Sequence, residues 1–420
     1  MMRELAGERG QVRTDLLGLY QAALAAVEGS LCVARRLRAQ PPDGPVRVVA
    51  IGKAAASMLD GAVEVLGTGI EQALLITKTG HLRGRPPPGT EVLEAGHPLP
   101  DQASLAAGQR LLEVLAAAPA RAQWLFLISG GASSLVEVPV PGVGLEELRQ
   151  LNRWLLASGL PIAPMNALRR RVSRIKGGQL LAWLRGRPVR ALLISDVPDD
   201  DPSIIGSGLL FPPTHQVPVP DGRDCPEPLR ALLTRLPVPE ASPPGATPVR
   251  AEIVARLDQA LAAAEAAART AGLPVYRAPG RLAGEAADVG RRLADTVLQG
   301  PAGVYLWGGE TTVRLPPRPG RGGRCQHLAL AAAEVLAGHR GIGLLAGGSD
   351  GSDGPGEVAG ACIDAQTLAR GQAAGLDAAT ALARADAGGF LAAAGDLLDT
   401  GPTGTNVTDI VIGLKQVSDA

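Results

Sequence analysis

Short, fully apolar runs recur along this chain, and segments rich in Ala and Leu separate them. The runs are Val46–Ile51, Ala73–Ile76, Trp124–Ile128, Ala191–Ile194, Val304–Trp307, Ile342–Leu345 and Ile410–Leu414. Segments with helical spacing between them include Asp101–Ala118, Leu145–Ala157, Ala251–Ala271 and Gln326–Leu336. Short apolar strands that alternate with helices are typical of a mostly parallel sheet covered on both faces. The pattern therefore predicts an α/β fold.

The alternation is interrupted between Phe211 and Pro248, where the chain is crowded with prolines. Proline fixes φ and removes a backbone donor, so this segment is interpreted as a connection that holds at most one short helix, Pro228–Leu236. A chain of 420 residues is long for a single core. We therefore predict two domains, residues 1–235 and residues 236–420.

Gly, Lys, Ser, Thr and Asp follow six of the apolar runs. The endings are Gly52-Lys53, Thr77-Lys78-Thr79-Gly80, Ser129 to Ser134, Ser195-Asp196, Gly308 to Thr312 and Gly347 to Gly354. In parallel α/β sheets, ligands bind where the carboxyl ends of strands meet glycine loops and helix N-termini. For any single ending, a glycine turn with a capping Ser or Asp is the favoured interpretation. Six endings in one chain favour a site.

Basic and acidic residues near these endings suggest the kind of ligand. Arg321 and Arg324 lie in a glycine-rich loop that suits phosphate or carboxylate, although a solvated loop is the alternative. The arginines at 169–171 are expected to open a helix and to lie largely on its wet face. Acidic residues follow two strands, and they suit either Mg²⁺ or Asx turns and helix caps. These acidic residues are Asp196, Asp199, Asp200, Asp201, Asp350 and Asp353.

Glycine loops, Lys53, the two loop arginines and Mg²⁺ together suit phosphoryl transfer, which depends on positioning and charge neutralisation. A P-loop is absent, since Ala54 follows Gly52-Lys53 and Arg47 stands where the upstream glycine is expected. No dinucleotide-binding G-x-G-x-x-G follows a strand, and no G-x-S-x-G elbow is present. His97 suits acid–base chemistry, but a structural loop histidine is the favoured interpretation.

Composition excludes several classes of partner. The formal net charge is +0 and aromatics make up 2% of the chain, which argues against nucleic acid and anionic membranes. The four cysteines are far apart, so we expect neither a disulfide framework nor a structural zinc. We expect no stretch able to span a bilayer, and we expect the cytoplasm as the compartment.

Nine motifs, in their order along the chain, resemble the glycerate kinase family whose C-terminal half is the MOFRL domain. They are Gly52 to Ala55, Gly96 to Asp101, Ile128 to Ser134, Ile175 to Gly178, Leu193 to Val197, Gly308 to Thr312, Gly320 to Arg324, Asp350 to Pro355 and Gly401 to Asn406. The resemblance implies a Rossmann-like N-terminal domain, a second α/β domain of MOFRL type and an active site in the cleft between them. It also implies ATP-dependent phosphorylation of D-glycerate to 2-phosphoglycerate, with ATP and Mg²⁺ as cofactors.

The resemblance assigns expected roles to residues of the matched motifs. Lys53 and Arg324 are the basic residues most closely tied to catalysis, one for the phosphoryl charge and one for the glycerate carboxylate in either order. Asp196 and Asp200 are expected metal ligands, and Asp350 or Asp353 is expected to orient or deprotonate the attacking hydroxyl. The expected substrate- and nucleotide-binding residues are Ser129, Gly130, Gly131, Ser133, Ser134, Lys176, Gly309, Glu310, Thr311, Arg321 and Asn406.

The chain departs from the family pattern at a few positions. Cys325-Gln326-His327 stands where the family commonly has Asn-Gln-Glu, and Pro164 stands where it commonly has Glu. Gly206-Ser207-Gly208-Leu209 replaces Ala-Ser-Gly-Pro. Two alternatives therefore stay open: an NAD(P)H-dependent hydroxypyruvate reductase, and a non-catalytic protein that binds sugar acids or nucleotides. Small-molecule substrates are the expected partners, and the sequence leaves open whether the chain forms a homodimer.

Overall fold

The computed structural model describes residues 2–82, 84–160, 162–213, 225–237 and 249–417. Contacts along the backbone divide it into two compact units. The parallel-sheet unit consists of Gly29–Ala255 together with Gly404–Asn406. The mixed-sheet unit consists of Met1–Glu28, Arg256–Thr403 and Val407–Ala420.

The division between the units differs from the predicted boundary at residues 235 and 236. The chain leaves the parallel-sheet unit after Ala255, because Val249–Ala255 forms a strand that pairs with that unit's sheet. The first helix, α1 (Met2–Ala26), belongs to the mixed-sheet unit. Its Tyr20 is buried there, and the Tyr20 hydroxyl donates a hydrogen bond to the Gly348 carbonyl over 2.9 Å. Residues 214–224 and 238–248 of the proline-rich connection lie outside the described residues.

One helical stretch among the described residues, Gly10–Ala39, has the length and a mean hydropathy (1.5) compatible with a membrane span. The expectation that no stretch passes this test was therefore wrong. In the structure the stretch is interrupted at residues 27–28, where α1 ends and α2 (Gly29–Ala39) follows. Leu16 is buried in the mixed-sheet unit and Val33 in the parallel-sheet unit. Because core helices also pass this test, the stretch is weak support for a membrane span.

The parallel-sheet unit contains six strands in the order β3-β2-β1-β4-β5-β6, and every neighbouring pair is parallel. The strands are β1 (Val46–Ile51), β2 (Ile70–Lys78), β3 (Thr90–Ala95), β4 (Trp124–Ile128), β5 (Val189–Ile194) and β6 (Val249–Ala255). The remaining helices are α3 (Ala55–Leu66), α4 (Gln102–Ala117), α5 (Ala132–Leu135), α6 (Leu145–Ala157), α7 (Ile162–Arg171), α8 (Leu181–Leu184) and α9 (Glu227–Arg235). This strand order is that of a Rossmann fold, so the predicted Rossmann-like domain is confirmed.

The register of the central strands brings their carboxyl ends level. Ile51 of β1 lies opposite Ile76 of β2 on one side and Ile128 of β4 on the other. All three isoleucines are buried, because strands covered on both faces carry apolar side chains on both. Gly52 and Ser129 therefore follow side by side at one edge of the sheet.

The mixed-sheet unit contains six strands in the order β11-β10-β9-β12-β8-β7. The strands are β7 (Val275–Arg277), β8 (Gly303–Gly309), β9 (Ile342–Gly348), β10 (Gly360–Asp364), β11 (Leu397–Leu398) and β12 (Asp409–Lys415). The helices that follow α1 are α10 (Leu257–Thr270), α11 (Ala286–Gln299), α12 (Arg324–Leu336), α13 (Thr367–Ala373), α14 (Ala378–Ala383) and α15 (Ala387–Ala394). Strand β12 runs antiparallel to both β8 and β9, so its first residue lies at the carboxyl ends of those two strands.

Every strand predicted from an apolar run is present, and the differences have local causes. The predicted helix Ala251–Ala271 begins as edge strand β6, where Ile253 and Val254 suit extended backbone, and the helix starts only at Leu257. The arginines at 169–171 end α7 and do not open a helix. Beyond them, Gly177 and Gly178 adopt left-handed φ angles of 64° and 81°, which a helix does not accommodate. Strands β3, β7, β10 and β11 were not predicted, because they are short or partly polar.

Candidate active site

The ends of β1 and β4 in the parallel-sheet unit are joined by backbone and side-chain hydrogen bonds. The Ser129 backbone N–H donates to the Ile51 carbonyl (3.0 Å), and the Lys53 N–H donates to the Gly130 carbonyl (3.0 Å). The Ser129 hydroxyl, which is fully buried, accepts from the Ala54 N–H over 3.0 Å. This pairing needs a glycine at position 52, because a Cβ there would lie 2.2 Å from the Ser129 oxygen. Ser129 therefore holds two strand ends together.

Gly130 lies where a carboxylate and an amide meet. The Asn406 Nδ2 donates to Asp196 Oδ2 over 3.1 Å, with Asp196 placed by the end of β5. A Cβ on residue 130 would lie 1.7 Å from that Asp196 oxygen and 2.0 Å from the Asn406 nitrogen. Only glycine leaves room for this pair. Three predicted site residues are thus brought together.

Lys53 approaches the other side of the same loop. Its Cγ lies 3.1 Å from the position of a Cβ on Gly131, and the Cδ2 of His97 lies 3.2 Å from that position. Gly131 has a left-handed φ of 86° and precedes α5. Lys53, which is half-buried, therefore lies beside the Gly130–Gly131 dipeptide, as does Asp196. His97, interpreted from sequence as a loop histidine, borders the candidate site.

The two predicted serines of this loop bind within the protein. The Ser134 hydroxyl donates to the Gly131 carbonyl over 3.2 Å, and the Ser133 hydroxyl lies 2.7 Å from the Ser207 hydroxyl. Ser207 has a left-handed φ of 60°, a conformation that is costly for a residue other than glycine. The loop is therefore fixed from within.

Lys176, expected to bind a ligand, is almost fully buried and paired with Glu137. The Glu137 carboxylate also accepts a hydrogen bond from the Ser173 hydroxyl over 2.6 Å. Burial lowers the pKa of Lys176, although the Glu137 carboxylate acts in the opposite direction. The structure thus gives Lys176 a buried protein partner. Its side chain neither takes a ligand-facing position nor lies on the wet face expected for its cluster.

The acidic residues after β5 take separate positions. Asp199 and Asp200 have left-handed φ angles of 60° and 53°, and Asp201 accepts from the Ser203 N–H over 2.8 Å in a turn. Among the described residues, no group of three or more His, Cys, Asp or Glu side chains could hold a metal ion. Asp196 is the carboxylate of this segment that lies at the Gly130 loop.

In the mixed-sheet unit, Arg324 begins α12 and binds two carboxylates. Its Nε and Nη2 donate to Asp409 Oδ2 (2.5 Å) and Oδ1 (2.9 Å), and Nη2 also donates to Glu310 Oε1 (2.8 Å). The fork geometry of guanidinium matches a carboxylate in this bidentate way. Burial acts to lower the pKa of Arg324, but Asp409 and Glu310 outweigh it and raise that pKa well above its ordinary value. Arg324 is thus permanently charged, with its side chain about a third exposed at 34%.

Asp353 supports the start of the same helix. Its two oxygens accept hydrogen bonds from the Cys325 N–H (3.0 Å), the Gln326 N–H (2.8 Å) and the Gln326 side chain (2.9 Å). Burial, followed by repulsion from Asp409, raises the pKa of Asp353 to about 6. Asp350 accepts from the backbone and hydroxyl of Ser352 in an Asx turn. Both aspartates therefore make the contacts of turns and helix caps, which the sequence left open as the alternative to binding Mg²⁺.

The other predicted binding residues of this unit are Gly309, Glu310, Thr311 and Arg321. Gly309 ends β8 and Glu310 follows it, while Thr311 is buried. Arg321 is exposed, and its backbone N–H donates to Asp386 Oδ1 over 2.8 Å. Glu310 is therefore the predicted binding residue that contacts Arg324 directly.

Asp409 is the main residue that sequence reasoning missed in this unit. It stands just before the apolar run Ile410–Leu414. The predicted site residues next to strands were chosen from those that follow such runs, so a residue at the start of a strand was not included. Because β12 is antiparallel, Asp409 lies opposite Gly309 and Gly348, at the carboxyl ends of β8 and β9. An acidic residue directly before a buried strand was the available signal.

The chain is similar to known proteins along most of its length. Residues 15–220 match the family described as a domain of unknown function (DUF4147), and residues 303–409 match the MOFRL family. A D-glycerate 2-kinase of Thermotoga maritima is 37% identical over 385 residues, which cover 88% of this chain and 90% of that protein. A protein of Agrobacterium vitis, proposed to be a hydroxypyruvate reductase, is 38% identical over 95% of this chain and 93% of its own length.

A solved structure is also similar to this chain over nearly its whole length. The crystal structure of a glycerate kinase from Thermotoga maritima matches with a TM-score of 0.80 and 32% sequence identity, covering 97% of this chain and 100% of that one.

The raised pKa of Asp353 makes stability depend on pH in a direction that can be checked. A carboxyl whose pKa is higher when folded stabilises the protein below its unfolded pKa and loses that contribution as pH rises through the folded value. Between pH of about 3 and 7, wild type should lose about 3 kcal/mol of unfolding free energy relative to Asp353→Asn, about 2 kcal/mol of it between pH of about 4 and 6. Urea unfolding at a series of pH values measures this difference.

Asp295→Asn, at an exposed site of α11, is the matched control for that series. A wild-type minus Asp353→Asn difference that stays constant from acid to neutral pH would contradict the assignment.

Proposed function

This chain belongs to the glycerate kinase family that joins a DUF4147 region to a MOFRL region, and from that premise we propose that it phosphorylates D-glycerate with ATP to give 2-phosphoglycerate. The observation that carries the proposal is the identity of 37% to a D-glycerate 2-kinase over 90% of that enzyme's length. This similarity covers both the region of Lys53 and the region of Arg324. We place the reaction in the cytoplasm, with small molecules as its substrates.

Lys53 and Arg324 are each proposed to neutralise phosphoryl charge, which for one of them replaces the carboxylate role expected from the sequence. Phosphoryl transfer needs charge neutralisation more than covalent help from the protein. Lys53 supplies an ammonium beside the Gly130–Gly131 loop. In Arg324, Nε and Nη2 are held by Asp409 and Glu310, whereas Nη1 has no partner among the described residues. Asp409 and Glu310 would thus aim Nη1 at a phosphoryl oxygen.

Asp353 is proposed to position Arg324 and not to act as a base. Its carboxylate is 2% exposed and accepts three hydrogen bonds from the first turn of α12. A base must reach the proton that it removes, and these contacts leave little access. Asp350, engaged by Ser352, is proposed to hold its own loop in the same way.

Asp196 is proposed to hold Mg²⁺. Mg²⁺ takes oxygen ligands and is commonly bound through one or two carboxylates together with substrate phosphates. Asp196 places a carboxylate at the Gly130 loop, and the Asn406 amide fixes its orientation. Asp200 is the second predicted ligand. It is the last residue of the 3₁₀ segment Pro198–Asp200, and its backbone has a left-handed φ angle. When bound, the ion would neutralise phosphate charge.

Reduction of hydroxypyruvate is the second candidate, because the Agrobacterium vitis relative is proposed to catalyse it. The sheet of the parallel-sheet unit has the Rossmann strand order that nicotinamide enzymes use. However, Gly52-Lys53-Ala54-Ala55 follows β1, so the glycine fingerprint for the dinucleotide pyrophosphate is absent there. The kinase is therefore favoured.

A paired assay separates the candidates. Pure protein is incubated with ATP, Mg²⁺ and D-glycerate, and in parallel with NAD(P)H and hydroxypyruvate. The proposal predicts ADP formation that requires D-glycerate, with no oxidation of NAD(P)H. The reverse result would establish a reductase, and binding without turnover in either mixture would establish a non-catalytic protein.

Lys53→Ala and Arg324→Ala should each lower kcat by at least about a hundredfold, because each removes a charge that stabilises the transition state. Both variants should keep the wild-type circular dichroism spectrum. Arg38→Ala is the matched control, since its exposed side chain pairs with Glu64 on the surface of the parallel-sheet unit. Activity near that of wild type in both site variants would remove the proposed site.

Gly130→Ala should lower kcat by about a hundredfold, because the new methyl group must displace Asp196 and Asn406. Gly69→Ala tests whether added bulk alone matters, since its Cβ would meet no atom within 4 Å. Steady-state kinetics of the two variants are compared. If both behave like wild type, the close approach at residue 130 is not required for catalysis.

A further inference from the structure

A buried polar network extends from the Gly130 loop into α7 of the parallel-sheet unit. The Ser207 hydroxyl donates to Asn166 Oδ1 over 2.9 Å, so Ser133 supplies the proton of the 2.7 Å contact between the two serines. Arg169 Nη1 donates to the same Asn166 oxygen over 3.3 Å. Asn166 is 2% exposed. The proposed phosphoryl transfer uses none of these contacts.

The network fixes which way the Asn166 amide points. Arginine can only donate hydrogen bonds, so the oxygen of the amide must face Arg169 and Ser207. The Nδ2 bonds to neither of them, and it has no acceptor among the described residues. A buried donor left unpaired destabilises a protein by about 1–3 kcal/mol. A ligand that supplied the acceptor would remove this cost.

Arg169 brings a charge with no counter-ion of its own. Its Nε donates to Asn152 Oδ1 over 3.3 Å, and none of the described carboxylates forms an ion pair with it. Glu137 is engaged by Lys176 and Ser173. Burial lowers the pKa of Arg169, although the Glu137 carboxylate acts in the opposite direction. The single carboxylate of Glu137 therefore faces two basic side chains, and its hydrogen bond goes to Lys176 and not to Arg169.

The neighbouring arginines also form no ion pair with a described carboxylate, but their contacts lie elsewhere. Arg171 Nη2 donates to the backbone carbonyl of Leu236 over 2.7 Å and to that of Leu233. The side chain of Arg170 packs against Gly177. Arg169 is thus distinguished within its cluster by contact with Asn166.

We propose that Asn166 Nδ2 and the Arg169 guanidinium form an oxyanion subsite that binds the carboxylate of the acceptor substrate. The inference rests on the proposed function, because it names the group of D-glycerate that this subsite takes. One guanidinium and one amide donor match a carboxylate of charge −1 better than a phosphate of charge near −2. Ser207 and Ser133 link the subsite to the loop that holds Asp196 and Lys53.

The subsite has a consequence for substrate selection. A site that leaves a buried donor and a cation unpaired rejects analogues that lack the carboxylate. D-glycerate should therefore be strongly preferred over glycerol, which has hydroxyls in the same place and no carboxylate.

Arg169→Met tests the subsite by kinetics. The KM for D-glycerate should rise by about tenfold to a hundredfold, because a charged hydrogen bond is lost, while the KM for ATP stays within about twofold. Preference for D-glycerate over glycerol should fall by a similar factor. Arg171→Met is the matched control, and its KM for D-glycerate should equal that of wild type. A rise in the KM for ATP instead would show that the subsite binds phosphate and would overturn the proposal.

Asn166→Asp gives a test that needs no turnover. The new carboxylate would pair with Arg169 and fill the subsite, so the variant should melt at a higher temperature than wild type. D-glycerate added without ATP should raise the melting temperature of wild type and leave that of Asn166→Asp unchanged. Equal stabilisation of both proteins by D-glycerate would overturn the proposal. Because this readout involves no phosphoryl transfer, it separates failure of the subsite from failure of the kinase assignment.

Discussion

The absence of a side chain at position 130 is the constraint on which the candidate site of the parallel-sheet unit depends. Asp196 and Asn406 occupy the space that a Cβ would need, and the Lys53 backbone binds the Gly130 carbonyl. Three strand ends and a distant segment are thereby fixed around one dipeptide. Preorganised groups of this kind stabilise a transition state without reorganising during the reaction.

In the mixed-sheet unit, charged side chains fix the position of the candidate site residue Arg324. Asp409 and Glu310 hold Arg324 in one orientation, and Asp353 binds the backbone N–H groups of the turn that carries it. Burial, together with repulsion from Asp409, raises the pKa of Asp353, so the arrangement that orients Arg324 destabilises the charged form of this carboxylate. Each unit thus contains one basic residue placed by its neighbours: Lys53 in the parallel-sheet unit and Arg324 in the mixed-sheet unit.

Sequence reasoning located the strands and most loops of both sites, because apolar runs and the residues after them are local signals. It missed Asp409, since only the antiparallel direction of β12 places the start of that strand at the functional edge. It placed Lys176 in a binding role, because sequence cannot show that Glu137 lies beside it. The division into units also differed, since burial of α1 and pairing of β6 are long-range events. The role proposed for Asn166 and Arg169 could not be predicted from sequence, because it depends on their hydrogen-bond partners in the fold.

The most direct test of the central claim identifies the product formed from ATP and D-glycerate. A phosphate on the second carbon has a single proton on the attached carbon, whereas a phosphate on the third carbon has a pair. The account therefore predicts a proton-coupled phosphorus NMR signal of the purified product that is a doublet, as for 2-phosphoglycerate. A triplet would show transfer to the other hydroxyl, and the absence of any glycerate phosphoester would contradict the assignment as a kinase.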